Sequence, residues 1–87
     1  MEVIYTKHAE NQLTERTLSK KLVEETLAQP DEILSDSSGN LVAHKIKAIN
    51  GIAFLVRVFY TEEAGNKRIL TIYLTTKIKK YYGRGLK

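Results

Sequence analysis

The sequence predicts an α+β domain in which two N-terminal helices pack on one face of a mainly antiparallel sheet. Three observations support this fold class. Apolar residues recur at helical spacing before Pro30, they recur at strand spacing after it, and an Asn50-Gly51 pair separates two long apolar runs. The predicted element order is β-α-α-β-β-β-β with a short tail. The 87 residues suffice for one domain with a single modest core.

The N-terminal part of the chain predicts a short strand and a first helix. Residues 2–6 form the strand candidate, and Thr6 is a good N-cap for the helix that follows it. Ala9, Leu13 and Arg16 then lie along one side of that helix at helical spacing.

A second helix is predicted over residues 20–29. Ser19 is a good N-cap, and Leu18 before it and Val23 after it form a hydrophobic staple. Pro30, the only proline, ends the helix because it lacks a backbone N–H and disfavours a helical conformation in the preceding residue. The buried stripe of this helix is expected to comprise Leu22, Val23, Thr26 and Leu27.

The chain after the proline has the pattern of strands. Residues 31–36 predict an edge strand, residues 37–40 a turn, and residues 67–76 the last strand. A final helical turn is expected at residues 77–82. Residues 83–87 are expected to form a flexible basic tail.

A hairpin between residues 41–49 and 52–61 carries the most functional information. Asn-Gly between apolar strands is typical of a two-residue turn, because both turn residues adopt positive φ. A two-residue turn at Asn50-Gly51 places His44 directly opposite Arg57, with both side chains on the same face. A bulge in this hairpin would instead move His44 away from Arg57.

Alternation along the last strands predicts which side chains share a face. Leu70 and Ile72 are expected to point at the helices and Ile69 away from them. Lys45 and Lys47 also fall on the helix side, so either they lie beyond the footprint of the helices or a bulge shifts the register. The opposite face is expected to gather His44, Arg57, Thr71, Tyr73 and Thr75, with Lys77 at the strand end.

This opposite face suits a polyanion, because it is expected to carry basic and aromatic side chains and no carboxylate. Arg57 has the planar fork of donors that holds a phosphate and stabilises charge developing on it. His44 is a candidate general base or acid, and Tyr73 is a candidate stacking or acid group. RNA cleavage through its own 2′-hydroxyl needs only such groups. The candidate RNA-binding residues are Thr71, Lys77, Lys80 and Tyr81.

Structural roles are the competing interpretation of the same residues. A histidine on a half-exposed strand is commonly a hydrogen-bonded surface residue, Arg57 can cover an apolar face, and Tyr73 can serve packing alone. Two histidines without a nearby carboxylate do not form a metal-ligand set, so no metal or other cofactor is expected.

Charge is distributed unevenly along the chain. Residues 1–66 have a net charge of −3 and residues 67–87 one of +7, so the C-terminal end is expected to attract a polyanion or an acidic protein. A basic terminus that only aids solubility is the alternative. The chain has no cysteine, which excludes a disulfide framework. It shows no signal peptide and no apolar run of the ~18 residues that span a membrane, which predicts a cytoplasmic protein.

The first helix carries a family resemblance. The segment His8-Ala9-x-x-Gln12-Leu13-x-Glu15-Arg16-Thr17-Leu18-Ser19 resembles the "HAxxRMxERGIS" opening of the DUF4258 family. The resemblance covers most of the chain and includes the proline-ended second helix, the apolar strand at residues 54–58 and the basic-aromatic end. That family is similar to the BrnT toxins and, more distantly, to the RelE/ParE toxin superfamily of small α+β proteins.

The resemblance implies a toxin that cleaves mRNA and is neutralised by an antitoxin, or, for ParE-type members, a protein that acts on gyrase. His8 and Arg16 match motif positions and are implied to line an edge of the site, and Arg57 matches by its strand position. Gln12 stands where the family often has Arg, and Thr17 where it often has Gly.

Three functions are hypotheses at this point. The leading one is a RelE/BrnT-like toxin-type domain that binds RNA, free or ribosome-bound mRNA, with metal-independent acid–base cleavage as its candidate reaction. The alternative is a non-catalytic interaction module of the same fold that binds an acidic partner, antitoxin-like or gyrase-like. The third is a structural protein. The predicted edge strand leaves dimerisation or strand addition by a partner open.

Overall fold

The computed structural model describes residues 2–83. Its elements, in chain order, are β1 (Val3–Tyr5), α1 (Lys7–Glu15), α2 (Lys20–Ala28), β2 (Glu32–Ser35), β3 (Leu41–Ile49), β4 (Ile52–Glu63), β5 (Asn66–Thr75) and α3 (Ile78–Tyr81). The predicted α+β class and the helix-then-strand order are confirmed, and α3 forms where a helical turn was expected. Of the predicted tail, residues 84–87 lie outside the described residues. Within residues 2–83, no helix is long and apolar enough to cross a membrane.

The five strands form one mixed sheet in the order β1-β5-β4-β3-β2. Neighbouring strands are antiparallel except β1 and β5, which run parallel. Helices α1 and α2 pack on one face of the sheet, as predicted, and the core lies between them and the sheet. Its buried residues are Ala9, Leu13, Leu22, Val23, Leu27, Ala43, Val56, Val58, Tyr60, Ile69 and Ile72.

Both N-terminal helices begin at the predicted caps. The Thr6 hydroxyl accepts a hydrogen bond from the Ala9 N–H at 3.2 Å and donates one to the Ile69 carbonyl at 2.9 Å. The Ser19 hydroxyl accepts from the Leu22 N–H at 3.2 Å. Each cap satisfies a backbone donor that has no partner inside its helix. The Thr6 cap also ties the start of α1 to β5.

Helix α1 ends at a threonine in the left-handed region. Thr17 has a φ of 53°, and the Leu18 N–H donates to the Leu13 carbonyl at 2.8 Å, which reverses the chain after the helix. A β-branched residue is strained in this region, where glycine is not.

Replacing Thr17 with glycine is therefore expected to raise the free energy of unfolding by about 1 kcal/mol, since the relief of left-handed strain exceeds the extra freedom of glycine in the unfolded chain. Urea unfolding measures the change. Thr14→Gly, inside α1 where the backbone is right-handed, is the matched control and should lose stability. A Thr17→Gly protein no more stable than the wild type would contradict the strain.

The β3–β4 hairpin has the predicted two-residue turn. Asn50 and Gly51 have φ values of 52° and 80°, and His44 pairs with Arg57. The alternative of a bulge in this hairpin is therefore wrong. Lys45 and Lys47 do lie on the helix side, and both reach past the core to α2. The Lys45 ammonium donates to the Gln29 carbonyl at 2.9 Å, and the Lys47 ammonium bonds the Glu25 carboxylate at 2.7 Å.

A bulge occurs instead between β4 and β5. Phe59 pairs with Thr71 and Tyr60 with Ile69, so Leu70 is an extra residue in β5. The expectation that Ile69 points away from the helices is wrong, because the extra residue reverses the alternation and places Ile69 fully in the core. From Thr71 onward the predicted faces hold.

Helix α1 covers the edge of β5 beyond the short β1. The side-chain oxygen of Gln12 accepts hydrogen bonds from the Ile72 N–H at 2.8 Å and from the Thr71 hydroxyl at 2.6 Å. The Arg16 guanidinium donates to the Ile72 carbonyl at 3.2 Å. These side chains take the place of a neighbouring strand, so the backbone of β5 stays paired there.

The Tyr5 hydroxyl is buried without a hydrogen-bond partner among residues 2–83. Burial, with a smaller contribution from the charge of Glu24, raises the pKa of Tyr5 to about 12 from 10.0. Because the folded-state pKa exceeds the unfolded value, the neutral phenol stabilises the fold below pH 10, and this stabilisation is lost as the pH rises towards 12.

Tyr5→Phe is expected to gain about 1 kcal/mol at neutral pH, because the unpaired hydroxyl is removed while the ring stays under the Lys20 ammonium. It should also flatten the loss of stability at alkaline pH. Urea unfolding at pH 7 and at pH 11 would check both. An unchanged alkaline profile would show that another group titrates.

Candidate nucleic-acid interface

Three neighbouring strands align the predicted site residues on the face opposite α1 and α2. His44 on β3 lies opposite Arg57 on β4, which lies opposite Tyr73 on β5. The two-residue turn fixes the first pairing. The β5 bulge leaves the second intact, because it lies on the other side of Thr71. The structure therefore brings together the three residues that the sequence nominated as catalytic.

Glu32 extends this alignment on the edge strand β2, where it pairs with His44. We call Glu32, His44, Arg57 and Tyr73 the polar row. The expectation of a face without a carboxylate is wrong. Residues 37–40, taken alone as the turn, would place residue 33 opposite His44, whereas the observed loop makes Asp36 bond Asn40 and pairs Ser35 with Leu41. This shift of one residue turns Glu32 onto the site face.

Both ring nitrogens of His44 are hydrogen-bonded. Nδ1 lies 2.8 Å from Oε2 of Glu32, and the Arg57 Nε donates to Nε2 at 3.1 Å. Arginine only donates, and an ionised carboxylate only accepts. The imidazole is therefore the neutral tautomer with its proton on Nδ1. A base oriented by a carboxylate is the arrangement that acid–base catalysis uses, but here the accepting nitrogen is occupied by Arg57.

The C-terminal segment covers the polar row. The Tyr81 ring lies 4.0 Å from the Arg57 guanidinium carbon, and the Tyr82 ring stacks on His44 with centroids 6.4 Å apart. The Gly83 N–H donates to Oε2 of Glu32 at 2.8 Å. We call residues 77–83 the C-terminal cover. Beneath it His44 is fully buried and Arg57 is 9% exposed, so the expectation of a half-exposed histidine is wrong.

The Arg57 cation is held among aromatic rings. Its guanidinium carbon lies 4.9 Å from the ring centre of Phe59 and 5.6 Å from that of Tyr73, in addition to Tyr81. Burial lowers the pKa of Arg57 from its ordinary value, although a guanidinium stays charged at neutral pH. Only its Nε has a hydrogen-bond partner among residues 2–83. The two terminal nitrogens are thus the groups that an oxyanion could bind.

Tyr81 lies between this cation and the surrounding lysines. A hydrogen bond with Tyr73, followed by the charges of Lys80 and Arg57, lowers the pKa of Tyr81 from its ordinary value. The Tyr73 and Tyr81 rings meet edge to face with centroids 6.2 Å apart, and the Lys80 ammonium lies 5.4 Å from the Tyr81 ring centre. The positive charges thus stabilise the phenolate form of Tyr81.

The remaining predicted site residues divide into two groups. Lys77 and Lys80 are exposed on the C-terminal cover, and Arg16 reaches the Tyr73 ring at 5.9 Å. Thr71 has its hydroxyl committed to Gln12, and His8 is exposed in the first turn of α1. Among the described residues, no hydrogen bond or ring contact joins His8 to the polar row.

Metal binding finds no support in the arrangement of side chains. Within residues 2–83, no group of three or more histidine, cysteine, aspartate or glutamate side chains is placed to hold a metal ion. Glu32 and His44 are the only such pair in the polar row, and they bind each other.

Comparisons with family models, with curated proteins and with solved structures find no match for this chain. The resemblance to the DUF4258 family and to RelE-like toxins therefore stays a prediction, and the function is argued from the geometry of the polar row and its cover.

Proposed function

We propose that this protein is a RelE/BrnT-like toxin-type domain that binds single-stranded RNA, such as mRNA, next to the polar row. The observation that supports this most is the position of Arg57. Its cation is stacked among aromatic rings, at the end of a chain segment that carries exposed Lys77 and Lys80. Aromatic rings that stack on bases, interleaved with cations that contact phosphates, are typical of surfaces that bind single strands.

The residues of this surface have separate roles in the proposal. Lys77 and Lys80 contact phosphates as mobile point charges, which supplies affinity that depends on salt. Tyr81 and Tyr73 offer faces on which bases stack. The fork of Arg57 binds one phosphate in a defined geometry through its terminal nitrogens.

Cleavage is the candidate reaction of the same site. Glu32 holds His44 with its proton on Nδ1, so Nε2 becomes the proton acceptor once Arg57 turns to a phosphate. In that reaction His44 takes the proton of the 2′-hydroxyl, whose oxygen attacks phosphorus. The 5′-oxygen leaves with a proton from Tyr73 or from water, and a 2′,3′-cyclic phosphate results.

Binding is tested by the fluorescence anisotropy of a labelled single-stranded RNA at several salt concentrations. The double variant Lys77→Ala/Lys80→Ala is expected to bind about tenfold more weakly and to reduce the slope of log affinity against log salt by about 1. Lys20→Ala/Lys21→Ala removes the same charge from α2 on the other face and is the matched control. Equal losses in both double variants would show that binding follows net charge alone.

A non-catalytic interaction module remains the second candidate. It is favoured by the position of β2, a strand at the edge of the sheet whose outer backbone groups are open to strand addition. Salt-sensitive binding of an acidic peptide, together with no RNA binding in the anisotropy assay, would favour it over the RNA-binding proposal.

A further inference from the structure

The polar row and the C-terminal cover share one atom. Oε2 of Glu32 lies 2.8 Å from Nδ1 of His44 and accepts from the Gly83 N–H at the same distance. The first contact orients the imidazole, and the second closes the chain over it. A side chain that serves only β2 would need neither.

We propose that Glu32 is a latch that holds the C-terminal cover closed over Arg57 and His44, and that the cover opens reversibly. Opening it frees the terminal nitrogens of Arg57 from the Tyr81 ring and exposes the buried imidazole. Glu32 is a positioning residue in this proposal, since it acts through His44 and through the cover.

The cover is built to be released more easily than the rest of the fold. Helix α3 has four residues, none of them buried, and Lys77 at its N-terminus makes no side-chain cap. A helix of one turn has little stability of its own. The segment is therefore held by its contacts with the row, and elements with few buried contacts open locally before the fold does.

The groups under the cover favour its release. Closure buries the Arg57 cation, and the accompanying fall in its pKa shows that burial disfavours the charged form. The aromatic contacts of Tyr81 and the hydrogen bond to His44 offset this cost. A ligand that binds the opened guanidinium strongly enough shifts the equilibrium towards the open form.

The accessibility of Arg57 to phenylglyoxal, which modifies arginine side chains, tests the latch without RNA. Arg68 is exposed on β5 and serves as the internal reference in the same protein. Mass spectrometry of the wild type is expected to show at least tenfold slower modification of Arg57 than of Arg68. Glu32→Leu is expected to speed up the modification of Arg57 at least fivefold and to leave that of Arg68 unchanged.

A second variant keeps the test valid if Glu32→Leu fails to fold. Gly83→Pro removes only the outer N–H of the latch and cannot adopt the φ of +74° found there. It leaves the Glu32–His44 contact in place and should also speed up Arg57 modification at least fivefold. Glu25→Gln removes a carboxylate from the other face and should change nothing. A folded Gly83→Pro protein with the wild-type rate at Arg57 would overturn the proposal.

What the cover controls rests on the proposed RNA binding, and a separate measurement distinguishes the two. Gly83→Pro is expected to bind labelled RNA at least threefold more tightly than the wild type, because less of the protein is closed. Faster Arg57 modification without any RNA binding would uphold the latch and contradict the RNA-binding proposal. Tighter RNA binding without faster modification would contradict the latch.

Discussion

Replacing His44 with alanine is expected to lower the free energy of unfolding by about 3 to 4 kcal/mol. The imidazole is fully buried, so its removal leaves a cavity under Tyr82. It also leaves Oε2 of Glu32 and Nε of Arg57 without the partner that they share. Urea unfolding with the wild type as reference measures the loss.

The size of this loss separates two interpretations of the histidine. A catalytic histidine on an exposed strand would change the free energy of unfolding by no more than about 0.5 kcal/mol when replaced. His44→Phe is the matched variant, because it keeps a ring against Tyr82 and removes both hydrogen bonds. It should lose less than His44→Ala, and the difference measures the cavity. A His44→Ala protein as stable as the wild type would contradict the buried network.

Replacing Gln12 with arginine is expected to cost about 2 kcal/mol. The Gln12 side-chain oxygen accepts from the Ile72 N–H and from the Thr71 hydroxyl, and arginine has no acceptor. The part-buried backbone N–H of Ile72 would lose its partner, which is the costly case of a broken hydrogen bond. The residue that the DUF4258 motif often has at this position is thus expected to weaken this particular fold.

Gln12→Glu is the control for this substitution. A carboxylate keeps the two acceptor contacts at nearly the same length, so the loss of stability should be clearly smaller than for arginine. Thermal unfolding of the three proteins at one pH ranks them. If arginine and glutamate cost the same, the acceptor is not what joins α1 to β5, and the packing of the helix alone decides the stability.

The sequence was sufficient wherever a short segment determines its own geometry. The Asn50-Gly51 turn sets the register of β3 and β4 because two residues with positive φ leave one pairing, and this placed His44 beside Arg57. Thr6 and Ser19 start the helices because their hydroxyls accept from backbone donors three residues away. Apolar periodicity then identified the face that meets α1 and α2.

The tertiary structure alone decided how the distant parts of the site meet. The β5 bulge at Leu70 depends on the partners on both sides of that strand, and alternation in one sequence cannot show it. The loop between β2 and β3 sets whether Glu32 faces the row, and a change of one residue in pairing reverses the face.

The same limit applies to the end of the chain. Charge and aromatic content marked residues 77–83 as a binding surface, which local composition can indicate. That the segment folds back on Arg57 and His44 depends on contacts between residues about 50 positions apart in the chain, such as Gly83 with Glu32. The sequence by itself thus determined the elements, the first register and the candidate residues. Only the long-range contacts decided that these residues are buried, oriented by Glu32 and covered.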